Sequence, residues 1–375
     1  MSYASNLHEA RKFDPTAVFR FKMVYYKSNK KRIMKSSLND FVEVALAADR
    51  NYIIGLTVAA CSIARSCSSN ICLRFHILYS DFTEKDKASI KQKLLSSKSN
   101  CEVCFYDVSD IDFSFFPLYA SSRMTYARLT LPQLLKKTDF VIYTDVDTLW
   151  LDDISELWQL KDEISLIACP REQSQKTVEM EEKWFSSRNL KFDRANYFCA
   201  GISFYNLSAI RTTGVFDKVL EFGKRFENFN CADQSMLYGA IGDKVKLLPD
   251  RWQTFPRNGI PDSSSKNVVL HYAGEVPWKV TSCTHLITDT QLLWFDACSL
   301  VFNESLWRSL RRFYSSFTII KARLLFVSLF KIWPMSMLGK ILLTCAGIKN
   351  FKETLRSRKQ YLRNLHVTLG LGLLG

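Results

Sequence analysis

From residue 41 onward, short apolar runs that end in an acid alternate with amphipathic stretches, and no other feature of the chain restricts its fold as much. FVEVALAAD (41–49) is followed by GLTVAACSIARS (55–66), whose apolar positions recur at helical spacing. LRFHILYS (73–80) reads as a strand, and the next helix is opened by the capping-box spacing Thr83-x-x-Asp86. CEVCFYDV (101–108) is a third strand, MTYARLTLPQLL (124–135) a helix, and FVIYTDVD (140–147) a strand whose last residues are acidic. Strand and helix repeated at this interval predict an α/β fold with a parallel sheet and crossover helices.

Open sheets of this kind take ligands beyond the carboxyl ends of their strands, near the point where strand order reverses. Asp49, Asp145 and Asp147 stand at such ends. A nucleotide is the common occupant, yet neither GxGxxG nor GxxxxGK[ST] follows the first strand, so something other than a glycine-rich loop has to hold the phosphates. A divalent cation can do so if carboxylates on a rigid element leave room for substrate oxygens. In a regular strand Asp145 and Asp147 point to one face and could share an ion. Taken alone, two acids ending a strand more often begin a solvated turn. His271, at the end of the apolar run NVVLH (267–271), is the one of five histidines placed to be a third ligand, and its imidazole favours Mn²⁺ over Mg²⁺.

The segments ALAADRNY (45–52), RFHIL (74–78), TYARL (125–129), VIYTDVDTLWLDDISELW (141–158), YFCAGISFYNL (197–207), ADQSML (232–237) and HYAGEVPW (271–278) together resemble the retaining glycosyltransferases of family 8. They occur in the family's order and span about two thirds of the chain. The family includes bacterial lipopolysaccharide glucosyl- and galactosyltransferases. The resemblance implies a GT-A fold, a mixed and mainly parallel sheet flanked by helices, and a UDP-sugar donor. It implies that Ala47, Asp49, Asn51 and Tyr52 line the uridine pocket and that Arg128 contacts the donor. Asp145, Asp147 and His271 would bind Mn²⁺, with Mg²⁺ as the substitute, and the main chain at Val146 would meet the ribose. Cys199, Ala200 and Gly274 fall at donor-site positions. Asp233 would hydrogen-bond the sugar hydroxyls, and Gln234 would lie under the anomeric carbon. An amide is a poor nucleophile, which favours attack and UDP departure on one face over a covalent intermediate.

Two positions depart from the family pattern. Cys199 stands where an Asn is usual in the YFNAG segment, which removes an amide able to contact a sugar. The closing motif usually places Lys before Pro-Trp, whereas here the order is Pro277-Trp278-Lys279. Lys279 reaches the diphosphate only through a rebuilt loop, and a surface lysine without a role is the alternative.

The net charge of +14 is not spread evenly. Residues 1–40 carry +6 and 303–375 carry +11, which leaves −3 on the catalytic stretch 41–302. A slightly acidic body is a poor fit to a nucleic-acid binder. With 47% hydrophobic and 23% charged residues, the chain is neither disordered nor polytopic. Residues 1–40 read as a basic arm. Within 303–375, a helical basic extension, the run LLFVSLFKIWPMSMLGKILLTCAGI (324–348) is interrupted by Lys331, Pro334 and Lys340, which suits a segment lying on an anionic membrane better than one crossing it. A helical hairpin packed on the catalytic domain is the alternative.

Eleven irregularly spaced cysteines and an N-terminus without an apolar leader suggest the cytoplasm, here at the inner face of the membrane. The expected activity is transfer of glucose or galactose from UDP to a saccharide acceptor, a lipopolysaccharide core or another lipid-linked glycan. A binding protein that keeps the site without turnover is the competing reading.

Overall fold

Phe41–Ala48 (β1) is apolar apart from Glu43 because both of its faces are covered. Val42, Val44, Leu46 and Ala48 enter one core cluster, and Ala45 and Ala47 the other. The computed structural model describes residues 41–309 apart from 115, 119–121, 257–268, 275, 280–288 and 306–307. Nearly all of them belong to one compact unit, Leu38–Lys279 with Leu293–Glu304. The arm expected at 1–40 and the membrane segment expected at 324–348 lie outside the described residues.

Eight further strands follow β1: β2 (Cys72–Tyr79), β3 (Cys101–Asp107), β4 (Phe140–Thr144), β5 (Thr148–Trp150), β6 (Ile167–Pro170), β7 (Ile202–Asn206), β8 (Val245–Leu248) and β9 (Val269–His271). Seven form one sheet in the order β3-β2-β1-β4-β7-β6-β8, while β5 and β9 make a separate antiparallel ribbon. Within the large sheet β7 runs against its neighbours β4 and β6, and the other pairs are parallel, so the sheet is mixed and mainly parallel. The chain passes from β1 outward to β2 and β3 and then returns to β4 on the other side of β1, which puts the reversal of strand order between β1 and β4. Asp49 follows one of these strands and Asp145 the other.

The helix Ile53–Ser66 begins two residues before the apolar stretch that predicts it, and its inner residues from Gly55 to Ala64 are buried. Gly55 lets the Trp278 ring lie directly against this helix, since a Cβ there would overlap the indole. At Glu84–Ser97 the predicted capping box is present: the Asp86 N–H donates to Thr83 Oγ1 (3.2 Å) and the Thr83 N–H to Asp86 Oδ2 (2.9 Å). Such a cap contributes about 1 kcal/mol.

The single helix expected at 124–135 is instead a 3₁₀ turn, Met124–Thr130, that runs into a four-residue α-helix, Leu131–Leu134. Pro132 has no N–H with which to continue an i→i−4 ladder back to Arg128. The Leu131 N–H bonds the Arg128 carbonyl in the tighter pattern.

Candidate active site

β4 stops at Thr144, so the DxD does not lie on a strand as its sequence suggests. The Asp145 N–H still bonds the Gly201 carbonyl (2.7 Å), in register with the β4/β7 pairing, but Thr148 Oγ1 donates to the Asp145 carbonyl (2.8 Å), closing a tight turn. It is this turn, not strand alternation, that aims both carboxylates one way. β5 then pairs with β9 so that Thr148 faces His271, and the Tyr272 N–H donates to the Asp147 carbonyl (2.8 Å). A three-residue ribbon thereby joins groups more than 120 positions apart in sequence.

His271 Nε2 lies 3.3 Å from Asp147 Oδ1 and 3.8 Å from Asp145 Oδ2, and one ligand atom from each residue falls within 4.8 Å of the others. Gly201 makes the approach possible, because a Cβ there would collide with the imidazole and stand 2.9 Å from Asp145 Oδ2. Two carboxylates and one imidazole, clustered beside open space at a strand end, fit a divalent cation.

Without a cation the cluster holds protons tightly. Burial pushes Asp145 up to about 6; Arg128 and His271 oppose that shift and Asp147 adds to it. Burial alone would lower the His271 pKa, but Asp147, aided by Cys199, more than reverses this and holds it well above its ordinary value. Ligation needs an ionised carboxylate and a neutral imidazole. Both raised pKa values therefore make protons compete with the metal as pH falls, and affinity rises with pH. Mn²⁺ affinity measured by calorimetry with UDP present is expected to be roughly tenfold or more weaker at pH 5.5 than at 7.5. Proton release should appear as a dependence of the apparent enthalpy on the buffer. A pH-independent affinity would contradict this assignment of ligands.

Behind the DxD sits Arg128, only 2% exposed. Its Nη2 bonds Asp145 Oδ1 (2.6 Å), its Nη1 the Ala200 carbonyl, and its Nε–H the Thr125 carbonyl (3.1 Å), while the guanidinium lies 4.2 Å from the centre of the Tyr143 ring. Asp233 Oδ2 is 2.9 Å from Arg128 Nε in an ion pair that is not an aligned hydrogen bond, and Asp233 Oδ1 accepts from Thr125 Oγ1. Oδ2 thus has charge compensation but no hydrogen bond among the described residues. Arg128 organises the two carboxylates from the rear.

Gln234, the next residue, is fixed at both ends: its Oε1 accepts from the Ala200 N–H (3.0 Å) and its Nε2 donates to Tyr197 Oη (2.9 Å). Ala232, which opens that helix, is held at φ +48°, a left-handed conformation that costs energy for an alanine. Cys199 is buried with its Sγ 3.8 Å from His271 Nδ1. At the far end of β1, Asp49 Oδ1 accepts from the Asn51 N–H (2.9 Å), and the Tyr52 ring stands edge-on to Trp278. Lys279 Nζ lies 3.8 Å from the centre of the Tyr52 ring, so the displaced lysine is gathered to the Asp49 end. Ala47 and Val146 are buried at the ends of their runs, and Gly274 takes φ +78° with open space where a side chain would stand.

Two residues of the cluster were not anticipated from sequence. Glu172 lies two residues beyond β6, a strand the sequence pattern did not mark, so an acid near a strand end was its only signal. It is buried, with Oε2 3.5 Å from Gln234 Nε2, and burial raises its pKa. Gln253, beside His271, follows no strand and gives no such signal.

The family described as Glycosyl transferase family 8 matches residues 43–282. The chain belongs to that family. A relative from Haemophilus influenzae that carries a glycosyltransferase name is 27% identical over 255 residues, 65% of this chain and 75% of its own. Among solved structures, the galactosyltransferase LgtC in complex with donor and acceptor sugar analogues is 25% identical, with TM-score 0.56 over 69% of this chain and 95% of LgtC. The apo structure of the bifunctional glycosyltransferase WbbM shares the fold at 20% identity and TM-score 0.59; it covers 74% of this chain, which spans about half of WbbM (53%). The mixed, mainly parallel sheet flanked by helices in this family 8 chain thus matches the GT-A glycosyltransferase fold.

Proposed function

We propose that this family 8 glycosyltransferase transfers glucose or galactose from a UDP-sugar, with retention and with Mn²⁺, to a saccharide acceptor. The acceptor class favoured is a lipopolysaccharide or lipooligosaccharide core, or another lipid-linked glycan. The observation that carries the reading is the convergence of Asp145, Asp147 and His271 with the Arg128–Asp233 pair and Gln234 beside the β1/β4 reversal.

A divalent cation held by Asp145, Asp147 and His271 supplies positive charge against the departing diphosphate. Asp49, Asn51 and Tyr52 bind and orient the nucleotide at the end of β1. Lys279, at the Tyr52 ring, provides a second positive charge for the diphosphate. Asp233 would hydrogen-bond the sugar hydroxyls, its buried Oδ2 held 2.9 Å from Arg128 Nε, whose charge opposes the rise that burial causes in its pKa. Gln234, its amide already engaged at both ends, holds a dipole under the anomeric carbon without attacking it, which supports departure and attack on one face. The basic C-terminal region would bring the enzyme to the inner face of a membrane that carries the acceptor.

One observation favours the second reading, a UDP-sugar-binding protein without turnover. The thiol of Cys199 faces the His271 ring, and no amide is offered there to a sugar. UDP release from a panel of UDP-sugars with Mn²⁺, with and without extracted lipid-linked glycans, separates the two. Metal-dependent release from one donor, raised by one acceptor fraction and giving an axial-to-axial product by NMR, is the expected result. UDP binding with no turnover of any donor would favour the second reading.

A further inference from the structure

Gln253 is wholly buried, yet its side-chain Nε2 has no hydrogen bond among the described residues. A leucine or methionine of similar size would avoid that unsatisfied donor, so the other half of the amide has to account for the residue. Its Oε1 lies 3.2 Å from His271 Nδ1. The opposite ring nitrogen, Nε2, is the one that faces Asp147 and Asp145.

For Nε2 to offer a lone pair to a cation, the neutral imidazole has to carry its proton on Nδ1, and that proton needs an acceptor. An amide oxygen accepts it. An amide turned the other way would donate to Nδ1 and drive the proton to Nε2, closing the ligand position. The only other group placed at Nδ1 among the described residues is the Cys199 sulfur, at 3.8 Å, a weak acceptor.

The backbone fixes this contact rigidly. The Thr254 N–H donates to the Val269 carbonyl (2.9 Å) and the His271 N–H to the Thr254 carbonyl (3.0 Å), so the residue after Gln253 is bridged into β9 immediately before His271. Gln253 is tied down further by its own N–H to the Asp250 carbonyl (3.1 Å) and by its carbonyl, which accepts from Gln173 Nε2 (2.7 Å).

We infer that Gln253 is a positioning residue for the cation: by accepting the Nδ1 proton of His271 it selects the tautomer and ring orientation in which Nε2 is a ligand. The inference rests on the reading of Asp145, Asp147 and His271 as the metal ligands. Its consequence is that metal affinity depends on a hydrogen-bond acceptor at position 253.

The test is Mn²⁺ affinity, followed by the EPR signal of free Mn²⁺ in the presence of saturating UDP and needing no turnover. Gln253→Met should bind roughly 10- to 100-fold more weakly than wild type. It should unfold at no lower a temperature, because it also removes the unsatisfied donor. Gln253→Glu keeps an acceptor at Nδ1 and should bind within a few-fold of wild type or more tightly. Cys199→Ala should leave the affinity within a few-fold.

Should the Met variant fail to fold, Gln253→Asn, which draws the amide back by one methylene, takes its place with the same expected loss. Unchanged affinity in Gln253→Met, or a loss in Gln253→Glu as large as in Gln253→Met, overturns the inference while the metal site stands. Wild type that takes up no more Mn²⁺ than Asp147→Ala overturns the metal reading itself, and the role of Gln253 with it.

Discussion

Asp147→Ala is expected to lower Mn²⁺-dependent UDP release by roughly 10²- to 10³-fold, the scale set by loss of one preorganised group that stabilises developing charge. Asp147 Oδ1 is the carboxylate oxygen nearest to His271 Nε2, at 3.3 Å, so its loss opens the ligand triangle on the side where the imidazole points. The change also acts on the two groups that remain. Asp147 is one of the causes that raise Asp145, and it is the main partner that holds the His271 pKa up. Without it Asp145 ionises more readily and His271 reverts toward neutrality, yet these two ligands no longer enclose a cation with a third. The unfolding temperature should stay near that of wild type, because relief of the repulsion between Asp147 and Asp145 offsets the loss of the attraction between Asp147 and His271. Progress curves with and without Mn²⁺, read beside the thermal unfolding curve, check both parts. Full Mn²⁺-dependent release in Asp147→Ala would show that the DxD is not the catalytic metal site.

The elements legible in the sequence are those whose cause is local. The apolar runs of β1, β2 and β3 and the Thr83–Asp86 cap reappear within a residue or two, since each is set by patterns a few positions long. What was not legible depends on contacts across the chain. β4 looked three residues longer because nothing in TDVD reveals that the chain turns after Asp145, with Thr148 Oγ1 donating to the Asp145 carbonyl, to pair with β9 more than 120 positions on. Nothing in TYARLT indicates that Arg128 is buried, because an arginine is tolerated there only when Asp145 and Asp233 arrive from two other elements. His271 could be picked as a ligand from its place at a strand end, but its route to the DxD, through a ribbon only three residues wide, could not. The family resemblance supplied the pairing of these groups; the chain's own local pattern did not.

Removing the Arg128 guanidinium should damage the fold as much as Asp147→Ala damages turnover. Arg128→Met is expected to cost roughly 3–5 kcal/mol of stability, because it strips the compensating charge from Asp233, which is almost wholly buried, and from Asp145. In a domain of this size that corresponds to an unfolding temperature lower by on the order of 10 °C. Arg128→Lys should recover little, since one ammonium cannot reach Asp145, the Ala200 carbonyl and Asp233 at once as the planar fork does. The pH dependence gives the sign. Burial already raises the Asp233 pKa and Arg128 opposes that shift, so in Arg128→Met the folded pKa moves further above the unfolded value. A group raised in this way contributes stability at low pH that is lost as pH climbs through its folded pKa. The deficit relative to wild type should therefore be small near pH 4, grow as pH rises, and level off once the variant's Asp233 is ionised. Adding Asp233→Asn to Arg128→Met should restore part of the loss by removing the stranded charge. Chemical denaturation of the three proteins at pH 4.5 and 7.5 reads all of these terms. A deficit below about 1 kcal/mol at pH 7.5, of the size of an exposed ion pair, would mean that Asp233 is compensated by some group other than Arg128.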